Sequence, residues 1–172
     1  MTNYLLDFSD YILSEKEAVK YFEKDIIEMK KLNLDISNYL KIEKEYINYF
    51  QKLFEINNGI VKVIFKSFGY YMSDYLFKHE KKLFERFFRE LKFEQIFFAE
   101  PIIITNIEYF KLLIKISYRD IYEGKSLKFV FRRIKLEILP IGDYCYLVKT
   151  SKKTILELLK ETRKMKIYLK EI

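Results

Sequence analysis

Lys125–Leu139 reads KSLKFVFRRIKLEIL, and the fold turns on how its apolar residues are phased. Leu127, Phe129 and Phe131 alternate with polar or smaller neighbours, the period of a half-buried strand. From Ile134 onward the apolar positions are Ile134, Leu136 and Ile138, which is the opposite phase. A slip of one residue exchanges the two faces of a strand. The spacing therefore predicts a basic strand with a bulge near Arg132-Arg133, lying in the middle of a small antiparallel sheet.

The flanking segments supply its expected neighbours. Phe110, Leu112, Ile114, Ile116 and Tyr118 alternate with Lys111, Leu113, Lys115, Ser117 and Arg119, which predicts a strand followed by a turn at Asp120–Gly124. Pro140–Asp143 reads as another turn and Tyr144–Lys149 as a third strand. Ser151 then caps a last helix, with Ile155, Leu158, Leu159 and Thr162 on its inner face.

The first half has helical rather than alternating periodicity. Ser14 and Glu17 form a capping box, and Val19, Phe22, Ile26 and Met29 recur at helical spacing, so a helix is expected over Glu15–Lys31. Asp35 or Ser37 caps a second, with Leu40, Ile47, Phe50 and Phe54 on one face and Asn57-Asn58-Gly59 as its stop. Ile60–Lys66 is β-branched, yet Ile60, Val61, Ile64, Phe65 and Phe68 also fit one face of a helix, and the helical reading is preferred. A further helix starts at Ser73 or Asp74 and carries Leu76, Leu83, Phe84, Phe87, Phe88 and Leu91; it ends before Pro101. The expected class is α+β: a helical N-terminal half of three to four helices (residues 1–98), then a small antiparallel sheet and a C-terminal helix (102–172). These form one compact domain with a seam at 99–101.

Half of the 172 residues are apolar and a third are charged, a globular composition rather than a disordered one. Lysine greatly outnumbers arginine, and Ile, Phe and Tyr are abundant, a joint bias that AT-rich codons produce. Where the charge sits is more telling than its total of +7. Residues 1–58 carry 8 basic and 11 acidic groups, whereas residues 99–172 carry 16 and 9. A positive C-terminal half suggests a polyanion or an acidic protein surface as partner.

Several chemistries lack their residues. Cys145 is the only cysteine and His79 the only histidine, so neither an intrachain disulfide nor a zinc cluster is expected, and a reducing, cytoplasmic setting fits. The N-terminus has no basic leader, and no apolar run reaches the roughly 18–20 residues of a membrane span. Four scattered glycines make no phosphate loop or dinucleotide fingerprint, so no cofactor is expected. Glu123-Gly124-Lys125 matches the E-x-K of restriction-type nucleases but falls in the expected hairpin turn.

The strongest candidate is a cationic surface. Lys115 and Arg119 on one strand, with Lys128, Arg132, Arg133 and Lys135 on its neighbour, would gather six cations on a small area of sheet. Lys160, Arg163 and Lys164 of the last helix would extend it. Phosphates attract such groups through charge and counterion release, and arginine adds a bidentate fork. Equally, lysines on exposed strands serve simply to solvate a sheet and discourage edge pairing.

Lys31–Ile47, His79–Ile96 and Lys152–Ile172 are similar in helical pattern to segments of the archaeal GINS replication factors. The Phe-Val-Gly-type turn of that family's β-domain is missing. The resemblance implies a subunit of a replication complex. The residues themselves point first to a non-enzymatic accessory or regulatory protein, such as a mobile-element-encoded inhibitor, that engages nucleic acid or a nucleoprotein through the basic sheet. A protein–protein module with an acidic partner, such as an immunity protein or complex subunit, is the alternative; a metal-dependent hydrolase or nuclease is the third.

Overall fold

The computed structural model describes residues 2–7, 37–65, 80–91, 100–118, 127–142, 145–151 and 167–172. In chain order these form β1 (Thr2–Asp7), α1 (Ser37–Ile56), β2 (Val61–Phe65), α2 (Lys81–Glu90) and β3 (Pro101–Ile104). There follow α3 (Ile107–Tyr118), β4 (Leu127–Phe131), β5 (Leu136–Gly142), β6 (Cys145–Thr150) and β7 (Tyr168–Glu171). The seven strands make one antiparallel sheet in the order β3-β2-β4-β5-β6-β1-β7.

The α+β class holds, but the expected helical first half does not. Strands β1 and β2 come from that half, and β2 is hydrogen-bonded between β3 and β4. Val61, Val63 and Phe65 are buried while Lys62 and Ile64 are half-buried, so the alternation of VKVIF is real and the helical reading of Ile60–Lys66 is wrong. Helix α1 ends as anticipated, in a Schellman motif. The Gly59 amide donates to the Phe54 carbonyl at 2.8 Å and Asn58 to Glu55 at 3.0 Å. Asn58 and Gly59 both take positive φ, at 64° and 68°, and the paired left-handed residues turn the chain directly into β2.

The largest correction concerns Phe110–Tyr118, which is helix α3 rather than a strand. Asn106 caps it, its side-chain oxygen accepting from the Glu108 amide at 2.9 Å. Eight residues of α3 are buried, including the consecutive Leu112, Leu113 and Ile114. A helix enclosed on most of its circumference is apolar at nearly every position, so a period of two can be picked out of it. The polar positions that remain, Glu108, Lys111 and Lys115, are spaced as one helical stripe.

Lys125–Leu139 is likewise not one bulged strand. It holds β4 and β5 joined by the turn Arg132–Lys135, closed by a bond from the Lys135 amide to the Arg132 carbonyl at 3.2 Å. The change of phase at Ile134 is the chain reversing. The third expected strand is present as β6, and β5 runs through Pro140 to Gly142 with a register shift there. The helices expected at Glu15–Lys31 and after Ser151, and the turn at Asp120–Gly124, lie outside the described residues, as do the nuclease-like triplet and His79.

Aromatic packing seats α1 and α3 on the face of the sheet that carries Phe129 and Phe131. The Phe110 ring lies 5.6 Å from Phe129 and 6.0 Å from Phe131; Phe50 lies 5.6 Å from Phe129 and 5.1 Å from Tyr146. Phe54 stacks on Phe110 at 5.2 Å. Helix α2 adds an outer layer, its Phe87 ring 5.3 Å from Tyr109 of α3. Edge-to-face rings at these distances add to the burial of each ring, which makes this aromatic block the main stabiliser of the fold. No helix among the described residues is long and apolar enough to cross a membrane.

Candidate partner-binding surface

Of the six cations expected on adjacent strands, five lie among the described residues, and they fall in three places. Lys115 belongs to α3, in the helical layer, where its ammonium donates to Glu80. Glu108 and Lys111 pair at 3.1 Å beside it, and these residues line a groove of about 270 Å³ together with Lys44, Asn48 and Gln51 of α1. The Tyr109 hydroxyl donates to Glu90 nearby, and Arg86 sits 5.6 Å over its ring. Burial, reinforced by the Glu90 bond, raises the pKa of this phenol. Two of the three lysines lining the groove are therefore neutralised within the chain, while Lys44 has no ion pair among the described residues.

Lys128 lies on the opposite, outward face of the sheet. Its neighbours in sequence, Leu127 and Phe129, point into the core, and its ammonium lies 2.7 Å from Glu137 of β5, both side chains about one quarter exposed. Arg132, Arg133 and Lys135 are exposed together in the β4–β5 turn. Arg119, Lys160, Arg163 and Lys164 lie outside the described residues. The structure thus brings three of the predicted cations together and separates Lys115 and Lys128 from them.

A buried side chain fixes the turn that carries those three. Asn57, only 5% exposed, sits at the end of α1. Its side-chain oxygen accepts from the Arg133 amide at 3.0 Å and the Ile134 amide at 3.3 Å, and its nitrogen donates to the Ile60 carbonyl. The Arg133 guanidinium donates to the Asn58 side-chain oxygen. An amide oxygen is neutral, so this bond orients the guanidinium without cancelling its charge. Lys135 takes φ of 49°, closing the turn in the left-handed region.

Beside the turn is a second depression of about 270 Å³, on the outward face at the β3 end of the sheet. Asn57, Ile60, Lys62, Pro101, Ile103, Val130 and Arg132 line it. Ile103 is 65% exposed and Ile60 46%, large values for isoleucine. Strand register sets Ile103 beside Lys62, and Lys62 beside Val130. Neither Lys62 nor Arg132 makes an ion pair among the described residues. The result is an apolar shelf bordered by two unneutralised cations. Sequence reading missed Lys62, Ile60 and Ile103 as surface partners because only the pairing of β2 with both β3 and β4 assembles them; the strict alternation of VKVIF was the one available signal.

Among the described residues no three His, Cys, Asp or Glu side chains gather as a metal site. No family model, curated protein or solved structure matches the chain, so the GINS-like pattern stands on the sequence alone.

Proposed function

We propose that this is a non-enzymatic accessory module, working in the cytoplasm, that docks an acidic protein partner through the β4–β5 turn and the shelf beside it. The observation that carries the reading is the juxtaposition of Lys62 and Arg132, both without a counterion among the described residues, with exposed Ile60 and Ile103. Protein surfaces that meet partners combine an apolar centre with a charged rim, and complementary charge guides the encounter.

Nucleic acid is the second reading, favoured by three exposed cations within one four-residue turn. It ranks lower because Lys128 is neutralised by Glu137 and because Phe84 and Phe87, rings of the kind that stack on bases, are buried. The two separate in an affinity purification from the native host, with and without nuclease. The expected result is a protein partner that survives digestion and is lost from the Lys62→Glu/Arg132→Glu variant. Retention of nucleic acid alone, abolished by nuclease, would overturn the first reading.

A further inference from the structure

Strand β3 stands at one end of the sheet, and among the described strands only β2 pairs with it. Its sequence is Pro101, Ile102, Ile103 and Ile104. Edge strands are commonly blunted by lysine or another charge that discourages added strands. Pro101 removes one amide here, but the three isoleucines carry nothing that repels a neighbour, and β-branched residues suit an extended backbone. The pleat turns the N–H and C=O groups of alternate β3 residues away from β2, towards this open edge.

The geometry points to recognition by strand addition: the partner contributes an extended, acidic segment that pairs with β3 as an eighth strand. This rests on the acidic-partner reading above and specifies the form the partner takes. An added strand would lie about 4.8 Å from β3 and continue the outward row that runs Ile103, Lys62, Val130. Apolar side chains on its outward face would cover Ile103. Carboxylates on the same face would reach towards Lys62, and those beyond the strand end towards Arg132. Nucleic acid has no peptide edge to offer β3, whereas an extended peptide supplies both the backbone pairing and the side chains. A second copy of this chain would bring like charges from two Lys62–Arg132 shelves together, so an acidic occupant fits better.

The probe is a short fluorescein-labelled peptide of repeating Glu-Thr-Val-Thr, which sets glutamate and valine by turns on one face of the strand, titrated against the full chain by anisotropy. Two derivatives are N-methylated on one or the other set of alternate residues, and a third replaces glutamate by lysine. Because a strand pairs with β3 along only one of its edges, one N-methylated peptide loses binding and the other keeps it. Ile103→Ser, at an exposed site with little effect on folding, weakens the parent peptide about tenfold, as does Lys62→Gln. If both N-methylated peptides bind like the parent, strand addition is wrong while the acidic-partner reading stands. If the lysine peptide binds as well as the glutamate one, both fall. No binding of the parent peptide at millimolar concentration also overturns strand addition, as does a self-association in sedimentation that Ile103→Ser abolishes.

Discussion

The groove of the helical layer and the shelf at the β3 end of the sheet hold cations in similar number, yet they differ in what those cations can do. In the groove Lys115 is tied to Glu80 and Lys111 to Glu108, and of its three lysines only Lys44 has no ion pair among the described residues. At the shelf Lys62 and Arg132 have no such partner among the described residues, and Arg133 is held by a neutral amide. Positive charge counted along a chain is thus not positive charge offered to a partner. The former stabilises the fold locally; the latter remains open to an outside carboxylate.

Five variants would break or sharpen this contrast. The largest effect is expected for Asn57→Ala, which leaves two amides of the basic turn and one carbonyl without partners. It should cost about 3 kcal/mol in urea unfolding, and a loss below about 0.5 kcal/mol would show that the turn holds itself. Glu80→Gln strips the partly buried Lys115 of its counterion and should cost about 1–2 kcal/mol by the same measurement. Lys135→Gly relieves the left-handed backbone and should stabilise by about 0.5 kcal/mol. The smallest change in stability, within about 0.3 kcal/mol, belongs to the pair Lys62→Gln and Arg132→Gln. That variant should nonetheless elute much earlier from a cation exchanger, whereas Lys128→Gln with Glu137→Gln, which removes a neutralised pair, should elute unchanged.

The parts of this fold legible from sequence are those that local chemistry decides. The Asn57-Asn58-Gly59 stop, the inward Phe50 and Phe54 of α1 and the alternation of Leu127, Phe129 and Phe131 each follow from one residue's neighbours, whereas Leu40, expected on the same face of α1, is exposed. Helix α3 was illegible as a helix because its burial erases the polar face that reports the period; Asn106 and the Glu108/Lys111/Lys115 stripe were the remaining clues. Val61–Phe65 has mixed local signals, and its place between β3 and β4 resolves them in favour of a strand. At the candidate surface Arg132, Arg133 and Lys135 were identifiable as a cluster because they are adjacent in the chain. Lys62 and Ile103 were not, since only long-range pairing makes them neighbours. Charge sums also miss neutralisation: Lys128 meets Glu137 only once β4 and β5 form a hairpin.

Strand β1 lies between β6 and β7, with Thr2 opposite Thr150 and Tyr4 opposite Glu171. During synthesis, then, β1 emerges before both of its neighbours and has no hydrogen-bonding edge to join until β6 has left the ribosome, and no second one until residues 168–171 follow. Completion of this sheet waits on residues 168–171, and for that interval Tyr4 and Leu6 are side chains that a chaperone can hold.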